Sequence, residues 1–437
     1  MSDFIRTYCD EQKQNVIDFR RDLHKYPETP GTEYRTAWKI IEALRALGYQ
    51  EIVYGDDAIN LDVVKDILPT EKEAAACYAR ALKEGANKSV LEKMKWHKTA
   101  VMAVLRCGEG PVVGLRVDTD ALKVIEGTGP DHLPAKDGFL SVHPQTMHAC
   151  GHDGHTAMGI GVAAIMKKLG DEKKIHGTLK IFFQPGEEGT IGGYAMAEAG
   201  IADDLDYLLA IHIGVGTKKT GQIGATAIDF PSLIKYDVHY EGLTSHSGVA
   251  PENGRNALLA ACTAVKGIYG LSRSSKGWSR VNCGTLNSGI VSNAVPGFAD
   301  LQVELRAEND TVMEKLNHCA RKVLEGAGMM YECGVNIINK GTMVGAPCDP
   351  EWIDILQKTV AEIPEVNEFL PVVSMSGAGE DATRFMRKAQ KNGGKATYMM
   401  IGSDLSTMPH TAGFDVDERC LAIGTEVVVR AFYNLMK

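Results

Sequence analysis

The chain has 437 residues, 44% hydrophobic and 24% charged, with a formal net charge of −9. That length exceeds what a single hydrophobic core supports, so two domains are expected. The acidic balance leaves no basic footprint for nucleic acid, and no apolar run is long enough to span a bilayer.

Residues 4–24 are patterned as an amphipathic helix. Pro27, Pro30 and Gly31 break it, and residues 36–47 begin a second helix. The start, Met1-Ser2-Asp3-Phe4-Ile5, lacks the basic residues and apolar core of a signal peptide. The ten cysteines show no disulfide-like spacing. A cytoplasmic, disulfide-free protein is therefore expected. Residues 61–96 are rich in Ala, Lys and Glu with one Pro and one Gly, a composition that favours helix. They separate elements that would otherwise be neighbours, and so read as a helical insertion.

Two short buried strands follow, residues 100–105 and 112–117, the second running into Asp118-Thr119-Asp120. Asp118 either caps the strand end or orients a metal-bound histidine. Next comes the most informative stretch, His148-Ala149-Cys150-Gly151-His152-Asp153-Gly154-His155. Cys150 and His152 are too close to share one helix face, but a turn would aim both at one ion. Thiolate and imidazole suit zinc or a related first-row metal. Residues 154–169 read as the helix leaving that loop.

An apolar strand, residues 179–183, ends in Gln184-Pro185-Gly186-Glu187-Glu188. In a turn, adjacent carboxylates point in different directions. One can bind a metal while the other takes a proton from the attacking water. The strand at residues 208–212 ends in His212, and Pro409-His410 lies in a loop after the strand at 396–401. Donors at the C-terminal ends of several strands converge on the crevice of an open α/β sheet. Between about 232 and 343 the pattern changes to alternating strands and two helices, an α+β module inserted in the larger domain. The expected division is therefore 1–231 and 344–437 for one domain and 232–343 for the other.

Met147 to Asp153, Gln184 to Gly189, Ile211-His212 and Pro409-His410 together resemble the aminoacylase/carboxypeptidase family of two-metal peptidases, specifically its amidohydrolase branch. The likeness runs from Arg20-Arg21-Asp22-Leu23-His24 to the last helix. It implies a catalytic α/β domain, a mixed sheet flanked by helices, with an inserted α+β lid or dimerisation domain. It implies two divalent ions held by Cys150, His152, Glu188, His212 and His410, with Cys150 bridging and Glu187 as general base. Ligand softness favours zinc; the resemblance favours manganese. Where many relatives carry Pro-Ala-Glu-Glu, this chain has Pro-Gly-Glu-Glu. Where the wider family has a metal-binding histidine, it has Arg116.

Within the lid, Ser245-His246-Ser247-Gly248 resembles a loop whose histidine reaches the partner subunit's active site and stabilises the oxyanion. Asn293 and Arg306 match residues that hold the substrate carboxylate. Gly379-Glu380-Asp381 resembles a loop near the substrate. The insertion, with Gly138-Phe139, is similar to that of aminobenzoyl-glutamate hydrolases. The expected reaction is release of p-aminobenzoate and glutamate from p-aminobenzoyl-glutamate. The alternatives are other N-acyl amino acids (hippurate, indole-acetyl or N-acetyl conjugates) and, further off, a non-catalytic binding subunit. A homodimer, or a heterodimer with a related subunit, is expected through the lid.

Overall fold

The computed structural model describes residues 3–375 and 379–437; Met1 and Ser2, part of the start considered for a signal peptide, lie outside them. The described residues form two compact units, the second being Asp229–Gly345 with Gly379.

Helix α1 (Phe4–Lys25) starts at Asp3, whose side chain accepts the Arg6 amide, and buries Ile5, Cys9, Val16 and Leu23. After the Pro27–Gly31 break come α2 (Tyr34–Ala46) and strand β1 (Glu51–Tyr54). Residues 61–96 contain a 3-10 turn (Leu61–Ile67), α3 (Glu71–Lys83) and α4 (Lys88–Lys93). Thr70 and Glu73 cap α3 reciprocally, each side chain satisfying the other's amide. Then follow β2 (Val101–Arg106), β3 (Val112–Asp118), the short α5 (Leu133–Asp137), α6 (His152–Asp171) and β4 (Thr178–Gln184). The first unit continues through α7 (Gly192–Ala197), β5 (Tyr207–Ile213) and β6 (Gln222–Ile228).

The second unit comprises β7 (Ser232–Glu241), α8 (Ala257–Tyr269), β8 (Ser279–Ser288), β9 (Phe298–Ala307), α9 (Asp310–Met330) and β10 (Gly334–Met343). Its four strands form an antiparallel sheet in the order β10-β7-β9-β8. The inward positions of β7 and β9, such as Tyr236, Val238, Leu301 and Leu305, bury against Ala260, Ala264, Leu316 and Leu324 of the two helices.

The chain returns to the first unit with α10 (Glu351–Val360), β11 (Glu368–Ser374), α11 (Thr383–Lys391), β12 (Lys395–Ile401) and α12 (Arg419–Met436). The eight strands run β1-β2-β4-β3-β5-β12-β6-β11. At the centre β4, β3, β5 and β12 are mutually parallel, with Asp118 opposite Gln184 and His212 opposite Met400. Their C-terminal ends therefore share one edge. These strands are buried along nearly their whole length, as parallel strands covered on both faces must be.

Helix α6 packs against α1, α12 and the sheet, and its buried residues cover most of its surface. Small residues allow this: a Cβ on Gly159 would stand 2.9 Å from the Phe183 ring, and one on Gly161 2.7 Å from a Val16 methyl. The helix begins two residues earlier than its apolar pattern suggests. His152 is its first residue, and the turn that separates it from Cys150 is Gly151, in a left-handed conformation at φ +91°.

Candidate metal centre

Cys150, His152 and His212 offer ligand atoms that all lie within 4.8 Å of one another, and so do Cys150, Glu188 and His410. The thiol is common to both triads. A third group, within the same limit, is His152, Glu187 and Glu188. All five residues that the sequence nominates as ligands, and the nominated base, thus meet at the strand edge.

His212 and His152 are each oriented through one ring nitrogen and leave the other for the centre. His212 Nδ1 donates to the Ile213 carbonyl at 2.8 Å, so its Nε2 lone pair faces the Cys150 Sγ, 3.5 Å away. His152 Nδ1 lies 3.1 Å from Asp120 Oδ1, and its Nε2 is buried with no partner. The His410 loop is docked by its own amide, which donates to the Ala149 carbonyl at 2.7 Å. That places His410 Nε2 3.0 Å from Glu188 Oε1, yet this oxygen accepts no well-aligned hydrogen bond. An imidazole nitrogen and a carboxylate oxygen brought together beside an orphaned buried nitrogen are donors that fit a cation.

Without a cation, Asp118 and Cys150 hold the His152 imidazole toward its charged form against burial, and Glu188 does the same for His410; a bound cation would take the place of those protons. Burial pushes the Cys150 thiol up to about 12, so a nearby cation is what would hold it as thiolate. Burial raises the Glu187 carboxyl well above the usual range, and Glu380, Glu188 and Asp381 add to the effect. Burial, and then His155, hold His212 neutral, the form in which imidazole binds metal. The donor set, one thiol, three imidazoles and a carboxylate, suits zinc or a related first-row divalent ion; Cys150 with His152 and His212 would hold one, and Cys150 with Glu188 and His410 the other.

One nominated role moves. Asp118 does not orient a ligand imidazole: its Oδ1 faces His155 Nδ1 at 2.6 Å and its Oδ2 accepts from Arg116 at 2.7 Å, whereas His152 Nδ1 stays 3.8 Å away. Asp118 still ends its strand, so its side chain reaches the neighbour across the sheet edge. Asp120, two residues further along the loop, orients His152, and its other oxygen accepts the Glu188 amide at 2.9 Å. The repeat Asp-Thr-Asp contained the signal for this, since only one of the two can face each histidine.

Arg116 lies wholly inside the first unit. It pairs with Asp118, Glu380 (3.0 Å) and Asp381 (3.1 Å), and donates to Gln184 Oε1 at 2.8 Å. It balances the carboxylates behind the centre. Glu380 further accepts the Tyr398 hydroxyl, and Asp381 the Gly193 amide, so both act in this buried network. On the far side, Asp153 accepts from Arg20 Nε and faces His24 Nδ1, each at 2.8 Å, and fixes the first turn of α6.

The lid candidates fall in two places. The Ser247 amide donates to the Asn293 carbonyl at 3.0 Å and His246 bridges Ala294, so His246 and Asn293 share one exposed loop pair. Arg306 sits eight residues beyond the first residue of β9, where its Nε donates to Glu304. The strand separates it from that loop pair by roughly 26 Å at the usual rise per residue.

An open α/β sheet with a buried thiol shared by two donor triads and an adjacent carboxylate defines a metallohydrolase centre. Residues 114–434 match the family described as peptidase family M20/M25/M40. The chain belongs to that family and is a hydrolase that acts on amide bonds. It is 38% identical to the indole-3-acetyl-aspartic acid hydrolase of Enterobacter agglomerans, over 99% of this chain and 98% of the relative. It is also 38% identical to one of the named subunits of the p-aminobenzoyl-glutamate hydrolase of Escherichia coli K12, over 98% of each. The crystal structure of the aminobenzoyl-glutamate utilization protein from Klebsiella pneumoniae superposes with a TM-score of 0.82 at 32% identity, covering 98% of this chain and 97% of that one.

Proposed function

We propose that the chain is a two-metal amidohydrolase that cuts the amide between an aromatic acyl group and an acidic amino acid, with p-aminobenzoyl-glutamate as the leading substrate. The observation that carries the two-metal reading is Cys150's place in both donor triads with Glu187 alongside. The substrate class rests on the two relatives above, whose names pair an aromatic acyl group with aspartate or glutamate. Indole-3-acetyl-aspartate is the second reading, supported at the same identity.

When bound, two zinc or manganese ions would acidify a water and polarise the scissile carbonyl. Glu187 takes the proton of the attacking water and delivers it to the leaving nitrogen. Asp120, through His152 and the Glu188 amide, keeps two ligands aimed. His246 donates to the oxyanion, while Asn293 and Arg306 hold the substrate carboxylate, Arg306 by its planar fork. His246 and Asn293 lie toward one end of β9 and Arg306 toward the other, which supports a site shared between two lids. Two chains therefore contribute, either two copies of this one or this one with a related subunit; the Escherichia coli relative is named as a subunit of its hydrolase, which supports the second.

No helix among the described residues is long and apolar enough to cross a membrane. Ten unpaired cysteines and a thiolate ligand support a reducing, cytoplasmic setting. The test is a panel of p-aminobenzoyl-glutamate, indole-3-acetyl-aspartate, hippurate and N-acetyl amino acids, assayed with zinc and with manganese. The highest kcat/KM is expected on an aromatic conjugate of glutamate or aspartate. A preference for N-acetyl or neutral amino acids would contradict the substrate reading.

A further inference from the structure

Glu33 precedes α2 and is fully buried. One carboxylate oxygen, Oε1, accepts two backbone amides, Gly31 and Gly186, each at 2.8 Å. The other, Oε2, accepts the Thr99 hydroxyl at 2.8 Å. Gly186 is the residue before Glu187. Its φ is +64°, and a Cβ there would stand 2.9 Å from the Ile191 Cβ. The turn behind it is closed by Ile191 N to Gly186 O and Thr190 N to Glu187 O, both 2.8 Å. On the other side of Glu187, the Glu188 amide is held by Asp120 at 2.9 Å. Two buried acidic side chains therefore grip the chain on either side of Glu187: Asp120 holds the Glu187–Glu188 peptide, and Glu33 holds the Pro185–Gly186 peptide one residue earlier.

The Gly31 turn that Glu33 closes is packed by the insertion and by the residues that follow it. His97 Nδ1 lies 2.7 Å from the Gly31 carbonyl, and a Cβ on Gly31 would stand 3.1 Å from the Pro69 ring. His97 is buried and adopts φ +69°, a conformation that its packed surroundings must maintain. Thr99 follows directly. The Gly31 turn, the insertion's exit and the Glu187 loop meet on this one side chain.

We propose that Glu33 is the positioning residue for Glu187: it sets the orientation of the general base through the Gly186 amide, and the insertion keeps Glu33 in place. This rests on Glu187 as the base. A displacement of about 1 Å in a catalytic group costs roughly 100-fold in rate, so a loosened Gly186 peptide acts on kcat before it acts on binding.

The experiment compares Glu33→Met, which keeps the length but accepts no hydrogen bond, with Glu33→Gln. In the Gln variant Oε1 still accepts both amides and Nε2 donates to the Thr99 hydroxyl. Turnover of p-aminobenzoyl-glutamate and metal content per chain are measured for both, with Glu187→Gln alongside. The expected result is a fall in kcat of roughly 10- to 100-fold in Glu33→Met with KM within about twofold and metal content unchanged. Glu33→Gln should stay within about threefold of wild type in kcat. The proposal is overturned if Glu33→Met keeps its kcat, if it loses metal together with activity, or if Glu33→Gln falls as far. Should Glu33→Met not fold, Glu33→Asp, one methylene too short to reach both amides, is read by the same criteria. If Glu187→Gln itself turns over, the base is misassigned; if it is inactive while Glu33→Met is unaffected, only the positioning claim fails.

Discussion

The carboxylate that steadies His152 is Asp120, and the same side chain holds the amide of Glu188. One residue thus aims a ligand from each triad. Removing an orienting partner of this kind typically weakens metal binding 10- to 100-fold. Asp120→Ala is expected to raise the dissociation constant for the metals by at least that factor, while Asp118→Asn, which faces His155, moves it less. Titration of the metal-free variants with zinc or manganese measures both; equal effects would remove the distinction. The donor cluster was legible because thiol, imidazole and carboxylate at strand ends have few other uses in combination. The carboxylate partners were not. Asp118 and Asp120 are the same residue type two positions apart, and only the direction in which the chain leaves β3 decides which histidine each one meets. Glu33 carried no signal at all, since its partners are backbone amides distant in sequence.

At the level of elements, the site depends on how closely α6 approaches its neighbours, because the loop that carries Cys150 feeds straight into that helix. Gly161 lets α1 come within contact. Gly161→Leu is expected to destabilise the protein by about 1–3 kcal/mol through overpacking, and to lower metal occupancy by displacing the first turn of α6. A lowered thermal midpoint with fully retained metal content would show that helix position and ligand position are uncoupled. Elements with strong periodicity, such as α1 and α9, could be read in the sequence. Strand β1 has four residues, all half-buried, and gives no alternation to detect. Strand β11, on the sheet edge, mixes exposed and buried positions for the same reason. The start of α6 escapes the apolar pattern because its first residues, His152 and Asp153, are ligand-type side chains that carry none.

For the whole molecule, the proposed joint role of His246, Asn293 and Arg306, which lie toward opposite ends of β9, calls for an assembly as the functional unit. If this chain pairs with itself, two inactive variants should complement. A mixed dimer of His246→Ala and Glu187→Gln has one site with both defects and one with neither. Random exchange makes half the dimers mixed, so roughly a quarter of wild-type activity should return. With subunit exchange confirmed independently, no recovery would confine His246 to its own chain or to a different partner. The two-unit division was visible in the change of hydropathy pattern near residue 232. What the sequence could not convey is that one strand of the second unit keeps its candidate substrate contacts at opposite ends.

The central claim is that Cys150 organises two metal ions. It is tested most directly by elemental analysis of Cys150→Ser beside wild type, both purified in the same metal-supplemented buffer. A hydroxyl is a poor replacement for a thiolate shared by two triads. Two divalent ions per wild-type chain are expected, with loss of most of both in the variant and the fold retained by circular dichroism. Full stoichiometry in Cys150→Ser would contradict the claim and leave Cys150 as a packing residue beside a centre held by histidines and carboxylates.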